Sequence, residues 1–256
     1  MAEMKVIKMI AIDVDGCITP GEGEAANLGV LKKLNEFNMH SASDPAVPAL
    51  TLNTGRQQPF VDLMCQMIGT RVPALFENGA GLYVPETYEF LYHPSITGEW
   101  FDRLAEFKKV LKKEMVLART AKLQPGKEVS FSVYPEKGFT VEDNARQLGE
   151  IFEKTGYEFD LDVSILCINI LIPGLDKGAG LLWLADFTGL NTDEMGAIGD
   201  APGDLPAFEL AGVSGAPAQA EPEVREAADY KALKKNGRGV ISIIEEVIHR
   251  NRELLK

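Results

Sequence analysis

The sequence has few cysteines and no long apolar run. Its three cysteines, Cys17, Cys65 and Cys167, are far apart and form no C-x-x-C pair. This usage argues against a disulfide framework and a structural zinc site, and it is typical of a protein in a reducing compartment. No apolar stretch reaches the roughly 18 residues that a membrane-spanning helix needs, so we expect no membrane partner.

The sequence also has fewer basic residues than acidic residues. The 256 residues include 26 Lys and Arg against 38 Asp and Glu, which gives a formal net charge of -12 at pH 7. Such a balance disfavours nucleic acid and anionic membrane surfaces as partners. The first residues lack the basic flank and apolar run of a signal peptide, so we expect a cytoplasmic protein. We expect this protein to be a monomer or a homodimer.

The order of predicted elements indicates an α/β fold. Apolar, largely β-branched segments predict strands over 6–12, 49–53 and 72–76, with amphipathic helices between them. This alternation implies parallel strands joined by right-handed crossovers. The same pattern returns late in the chain, with a strand over 195–199 and a final helix over 240–254. We therefore expect a Rossmann-like, doubly wound parallel sheet.

The middle of the chain, residues 82–173, follows a different pattern. It begins with a predicted hairpin and continues with a charged helix over about 98–113, an amphipathic helix over 141–155 and two predicted strands, over 129–134 and 162–172. This mixture predicts an α+β domain inserted into the α/β core. The predicted core then consists of residues 1–81 and 174–256.

Four polar motifs lie at the ends of predicted core elements. They are Asp13-Val14-Asp15-Gly16, Thr54-Gly55-Arg56, Lys177-Gly178 and Gly199-Asp200-Ala201-Pro202-Gly203-Asp204. In an open parallel sheet, ligands bind outside the carboxyl ends of the strands. Two acids placed there can share a hard cation, and one of them can attack an electrophile. Each motif alone could be an ordinary turn or helix cap, whereas the four in this order indicate one site.

Together the motifs resemble those of the haloacid dehalogenase-like superfamily of phosphotransferases. The insert resembles the type IIB cap of its Cof-like and sucrose-phosphatase-like members, so the resemblance covers essentially the whole chain. It implies a Mg²⁺-dependent phosphatase that hydrolyses a phosphomonoester through an aspartyl-phosphate. The implied substrate is a small metabolite, such as a sugar phosphate, a phosphorylated sugar acid or phosphoglycolate. Two alternatives stay open, a phosphosugar mutase of the same superfamily and a non-catalytic metabolite sensor.

The resemblance implies catalytic roles for the first three motifs. Asp13 is the candidate nucleophile, and Asp15 is the candidate general acid and base. Lys177 and the Thr54 hydroxyl are expected to bind and polarise the transferring phosphoryl group. Further phosphate-binding groups are expected at two glycines, Gly16 and Gly55.

The metal site also follows from the resemblance. It places Mg²⁺ between the Asp13 carboxylate, the backbone carbonyl of Asp15 and the Asp200 carboxylate. Asp204 is expected to lie behind the metal ligands, where it orients a metal-bound water or Lys177. The alternative is a purely structural role, in which the Asp204 side chain caps the N-terminus of the helix that follows.

Two positions depart from the family pattern. Gly203 stands where the family often has Asn, and that Asn commonly supports the metal, so the difference bears on metal affinity or on one metal-bound water. Cys17 stands where the family often has Thr. We interpret Cys17 as a packing residue, because neighbouring carboxylates disfavour its thiolate.

Substrate selection is expected to depend on the insert and on two core residues. Arg56 is a candidate contact to a substrate oxygen, with an ion pair to a cap acid as the alternative. Asn78 is a candidate contact near the leaving group, although an Asn-Gly turn would explain it equally well. The polar residues Ser130, Ser132 and Asn169 on insert strands are interpreted as surface residues.

Overall fold

The computed structural model describes residues 4–256, and within them the chain forms twelve β-strands and eight α-helices. The strands are β1 (Met9–Ile12), β2 (Ala49–Leu52), β3 (Ala74–Phe76), β4 (Gly81–Val84), β5 (Glu89–Tyr92), β6 (Ala121–Leu123), β7 (Phe131–Pro135), β8 (Asp160–Val163), β9 (Ile168–Leu171), β10 (Met195–Ile198), β11 (Val213–Ala216) and β12 (Tyr230–Lys231). The helices are α1 (Leu28–Ser41), α2 (Gln58–Ile68), α3 (Gly98–Leu111), α4 (Val141–Thr155), α5 (Lys177–Thr188), α6 (Leu205–Leu210), α7 (Pro222–Ala227) and α8 (Asn236–Leu254). No helix in this part of the chain is long and apolar enough to cross a membrane.

A five-stranded sheet forms the centre of the fold, with the strand order β12-β11-β10-β1-β2. Each neighbouring pair is parallel, and β1 lies between β10 and β2. The predicted Rossmann-like parallel sheet is therefore confirmed. Because β1 is an interior strand with a parallel neighbour on each side, the residues that follow it lie within the carboxyl edge of the sheet, where such sheets bind ligands.

Helices cover both faces of this sheet, which explains why β1 is apolar at every position. Ile10 and Ile12 pack into a cluster that includes Leu34 of α1 and Ile244 of α8. The alternate residues of β1 pack on the other face, in a cluster that includes Leu181 of α5. A strand buried on both faces is a continuous apolar run rather than an alternating one.

The strands β3, β4 and β5 form an antiparallel sheet beside the core. A parallel bridge between Asn53 and Leu75 connects this sheet to the end of β2. The sequence assigns the β4–β5 hairpin to the insert, but Leu82 and Leu91 pack in the same apolar cluster as α5 of the core. We therefore propose that the inserted cap begins after β5 and comprises residues 93–173.

The cap has its own antiparallel sheet, in the order β6-β7-β9-β8, and its own apolar cluster. In that cluster Phe107 of α3 and Leu148 of α4 pack against Phe131 of β7. The prediction of one strand over 162–172 is wrong, because β8 and β9 are separated by a turn. Ser164 closes this turn by hydrogen bonds to Cys167, so the apolar residues between them lie in the turn.

Candidate active site

The first and third motifs meet at the carboxyl end of β1. Asp13 directly follows β1, and its backbone N–H donates to the carbonyl of Ile198 on β10, at 2.8 Å. Its carboxylate lies 2.9 Å from the ammonium of Lys177, and both side chains are less than 10% exposed. Lys177 is the first residue of α5, whose N-terminus is capped by the Asp176 side chain. The helix cap thus fixes the lysine against the strand end.

The fourth motif holds this lysine from the other side. Asp204 Oδ1 accepts a hydrogen bond from Lys177 Nζ at 2.6 Å, and its Oδ2 accepts from the backbone N–H groups of Asp200 and Ala201 at 2.9 and 3.1 Å. Asp204 therefore positions both the lysine and the loop that carries Asp200. Although Asp204 precedes α6, its side chain makes no capping hydrogen bond there.

Asp200 lies over Gly16, and this contact requires glycine. A Cβ atom at position 16 would lie 2.0 Å from Asp200 Oδ2, and Gly16 has a φ of +83°. Both conditions disfavour any other residue. The glycine thus allows the Asp200 carboxylate to approach the end of β1, and ligand atoms of Asp13, Cys17 and Asp200 lie within 4.8 Å of one another.

The charges at this point suit a hard divalent cation. Burial, together with the neighbouring carboxylates, raises the pKa of Asp13 to about 7 and that of Asp200 to about 8. Burial alone would lower the pKa of Lys177, but the carboxylates of Asp13 and Asp204 raise it well above its usual value, so this single cation stays charged among several acids. Carboxylate oxygens are preferred ligands of Mg²⁺, so Asp13 and Asp200 could hold this ion.

Cys17 is the third group of this cluster, but its thiol does not suit such a cation. Its Sγ atom donates to Asp200 Oδ1 at 3.6 Å. Burial and the carboxylates of Asp200 and Asp13 raise the pKa of Cys17 well above its usual value. The metal ligand would have to be the thiolate, and a hard cation prefers oxygen. The side chain is fully buried, in agreement with a packing role.

Asp15 is held by an arginine of the second motif. Arg56 donates from Nε to Asp15 Oδ2 at 2.5 Å and from Nη2 to Oδ1 at 2.7 Å. Arg56 also lies 3.8 Å from the carboxylate of Glu22 and stacks over the Phe60 ring. The predicted alternative of an ion pair with a cap acid is wrong, because both acidic partners belong to the core segment.

The remaining residues of the second motif lie against Asn78. The Thr54 side chain is buried, and its hydroxyl accepts from the backbone N–H of Arg56 at 3.2 Å. A Cβ atom on Gly55 would lie 2.9 Å from Asn78 Oδ1. Asn78 itself has a left-handed backbone with φ +58°, as expected for a turn. Its Nδ2 group is nonetheless buried without a hydrogen-bond partner within residues 4–256.

The motif residues and the cap enclose one cavity of about 320 Å³. Its core lining includes Asp13, Asp15, Gly16, Thr54, Gly55, Arg56, Asn78, Lys177, Asp200 and Gly203. Its cap lining includes Lys127, Ser132, Tyr134, Asp162, Ile165, Leu166 and Asn169. The interpretation of the three polar cap residues as surface residues is wrong. Ser130 and Ser132 are at most 1% exposed, and Asn169 lines the cavity.

Sequence reasoning missed two residues at the junction of core and cap. The Glu77 carboxylate accepts hydrogen bonds from the backbone N–H groups of Glu128, Val129 and Ser130, at 2.8 to 2.9 Å, and from the Ser130 hydroxyl. An acid at the end of a predicted strand was a usable signal for Glu77. Lys127, in a turn of the insert, belongs to no motif and gave no such signal.

Comparison with known proteins agrees with this geometry. The family model for haloacid dehalogenase-like hydrolases matches residues 141–244. Phosphoglycolate phosphatases of Methanosarcina acetivorans and Methanothermobacter thermautotrophicus are 27% and 28% identical to this chain. Each match covers 93% of this chain and 95% or 97% of the relative.

The fold is likewise similar to solved structures over nearly the whole length. A Thermoplasma acidophilum protein superposes with a TM-score of 0.73 at 20% identity, covering 95% of this chain and 99% of its own. The sucrose-phosphatase of Synechocystis superposes with a TM-score of 0.67 at 18% identity, and the match covers 95% of this chain and 98% of the sucrose-phosphatase. The four motifs, the family model over residues 141–244 and these full-length similarities agree, and together they make the chain similar to the haloacid dehalogenase-like hydrolases.

Proposed function

We propose that the protein is a Mg²⁺-dependent phosphatase that hydrolyses a small phosphomonoester through an aspartyl-phosphate. The observation that carries the proposal is the position of Asp13, which lies 2.9 Å from Lys177 in a cavity that also contains Asp200. A carboxylate nucleophile, a fixed cation and a second acid that could share a metal ion are the groups that phosphoryl transfer needs.

In this mechanism Asp13 attacks phosphorus, so that a carboxylate–phosphorus bond forms while the ester P–O bond breaks. Asp15 donates a proton to the leaving alkoxide and then takes one from the water that hydrolyses the aspartyl-phosphate. Both oxygens of Asp15 accept hydrogen bonds from Arg56. Each of these oxygens has a second lone pair, so Asp15 can exchange a proton with the substrate while it stays paired with Arg56.

The remaining groups bind the phosphoryl oxygens. Lys177, held by Asp204, supplies a fixed positive charge, while the Thr54 hydroxyl and the backbone N–H groups of Gly55 and Gly16 supply neutral donors. Mg²⁺, held by Asp13, the backbone carbonyl of Asp15 and Asp200, would neutralise charge on the transferring group when it is bound.

Phosphoglycolate is the first substrate to test. Relatives named phosphoglycolate phosphatase match 93% of this chain, and the cavity of about 320 Å³ suits a small metabolite. A sugar phosphate or a phosphorylated sugar acid belongs in the same panel, because the cap also contributes polar side chains to the cavity.

The test is inorganic phosphate release from this panel and from p-nitrophenyl phosphate, with Mg²⁺ and with a chelator. Asp13→Asn should lower kcat by about 1,000-fold or more, as expected for loss of a nucleophile. The matched control is Asp186→Asn, because Asp186 is exposed on α5. If the folded protein binds Mg²⁺ but releases no phosphate from any ester, the proposal fails. Activity that requires a bisphosphate activator would indicate a mutase, and binding without turnover would indicate a sensor.

A further inference from the structure

The cavity contains three cationic side chains, and two of them are neutralised by carboxylates. Lys177 contacts two acids, and Arg56 forms a bidentate pair with Asp15. The third cation is Lys127 of the cap, which is only 2% exposed. The ammonium of Lys127 has no carboxylate oxygen of residues 4–256 within 4.0 Å, so it forms no ion pair with them. Lys127 is therefore available to an anion in the cavity.

The contacts of Lys127 are all to neutral oxygens. Its Nζ atom lies 2.5 Å from the Ser132 hydroxyl and 3.5 Å from the Asn169 side-chain carbonyl. These two residues also line the cavity and hydrogen bond to each other. An ammonium has three N–H donors, so two neutral acceptors leave one donor for a ligand.

Burying such a charge carries an energetic cost. A buried ammonium that has no anionic partner loses its hydration without a compensating ion pair. Burial accordingly lowers the pKa of Lys127, while the nearby carboxylate of Glu77 opposes that shift. Costly charges of this kind are concentrated at functional sites. The burial of Lys127 is therefore better explained by a ligand than by fold stability.

The chain around Lys127 fixes it relative to the phosphate-binding motifs. The next residues, 128–130, donate their backbone N–H groups to the carboxylate of Glu77, which lies at the end of β3. Asn78 follows Glu77 and lines the same cavity, and its buried Nδ2 group has no hydrogen-bond partner within residues 4–256. Two residues with free N–H donors, one from the cap and one from the core, thus line the cavity beyond the groups assigned to phosphate.

We propose that Lys127 and the side-chain amide of Asn78 bind a carboxylate of the substrate, so that the cavity selects phosphomonoesters that carry a carboxylate close to the ester oxygen. This inference rests on the proposed phosphatase function and adds a specificity determinant to it. An ammonium with a neighbouring amide donor matches the acceptor oxygens of a carboxylate. A hydroxymethyl group in the same place would leave the lysine unpaired.

The test compares two esters that differ only in this group, 2-phosphoglycolate and 2-hydroxyethyl phosphate. For the unmodified protein, kcat/KM should favour phosphoglycolate by about 10- to 100-fold, the range of one hydrogen bond to a charged group. Lys127→Met should remove most of that preference by raising KM for phosphoglycolate, with little change for 2-hydroxyethyl phosphate. The control is Lys122→Met, because Lys122 is an exposed cap lysine that pairs with Glu136.

Three results would overturn the inference: equal kcat/KM for the two esters, a Lys127→Met loss that is the same for both, or no loss at all. The first result needs no variant, so a folding defect in Lys127→Met cannot hide it. Asp13-dependent hydrolysis of p-nitrophenyl phosphate without a carboxylate preference refutes the carboxylate site alone. If no ester is hydrolysed, the proposed function fails. Calorimetric binding of the same two esters then decides the site, and equal affinities refute it.

Discussion

Replacing Glu77 with Gln should weaken the junction between core and cap. In the structure one carboxylate oxygen accepts from the backbone N–H groups of Val129 and Ser130 and from the Ser130 hydroxyl, while the other accepts from the N–H of Glu128. The side chain is 1% exposed, so water cannot replace these acceptors. A glutamine keeps the size and shape but brings an amide N–H₂ group against at least one backbone donor.

The magnitude follows from the bonds that change. One buried N–H loses its acceptor, which costs about 1–3 kcal/mol. The other three bonds become bonds to a neutral acceptor, and each loses about half of the strength that a charged acceptor gives it. Together these losses come to about 3 to 7 kcal/mol, and they are partly offset because glutamine avoids the burial cost of a charge, the same cost that raises the pKa of Glu77. We therefore expect a net loss of about 3 kcal/mol in the free energy of unfolding. The junction also holds Lys127, so KM for the best substrate should rise as well.

Urea unfolding, followed by circular dichroism and by tryptophan fluorescence, measures the stability change. The control is Glu153→Gln, because Glu153 is an exposed residue of α4. It should leave the unfolding free energy within about 0.5 kcal/mol of the original protein. A Glu77→Gln protein that unfolds at the same urea concentration as this control would refute the reasoning, because the four acceptor contacts would then contribute nothing measurable.

Three further predictions concern the motif region. Gly16→Ala places a Cβ atom 2.0 Å from Asp200 Oδ2 at a residue whose φ is +83°. It should lower the free energy of unfolding, measured in urea, by about 2 kcal/mol or more, and an unchanged value would contradict this. Gly203→Asn introduces a Cβ atom 2.9 Å from Asp162 Oδ2 of the cap and should raise KM about five-fold. Adding Asp162→Ala should restore KM, and a defect that persists would exclude this clash as the cause. Iodoacetamide at pH 8 should not alkylate the native thiols of Cys17, Cys65 and Cys167, because burial raises the pKa of each thiol above its usual value. Mass spectrometry measures the alkylation, and rapid modification would contradict this prediction.

The predictions that succeeded depend on signals local to the sequence. The helix predicted over 141–155 has the bounds of α4, because Thr140 and Asp143 form a capping box at one end and Gly156 ends the helix in a left-handed conformation at the other. The parallel sheet was also predictable, since β1 and β10 are apolar at every position and buried on both faces. The strand-end carboxylates likewise needed only their position after β1 and β10.

The failures have a common physical origin in contacts between distant residues. Ile165 and Leu166 extend the apolar pattern of 162–172, but they lie in an exposed turn at the cavity and not in a strand. The strands β6 and β12, of three and two residues, are too short to show a periodic pattern. Lys127 has no local signal, because its importance depends on partners that come from other strands of the cap and from the core.

The Glu77 contact gives a physical reason why recognition and chemistry can be coupled in this fold. Glu77 and Asn78 continue from β3, whose carbonyl at Leu75 accepts from the N–H of Thr54 in the second motif. The same Glu77 carboxylate holds the segment that begins with Lys127. A substrate carboxylate bound to Lys127 would thus engage the cap at the point where the cap contacts the strand that holds the second motif. Binding energy at the carboxylate can then hold the ester against Asp13, and neutral esters would lack that contribution.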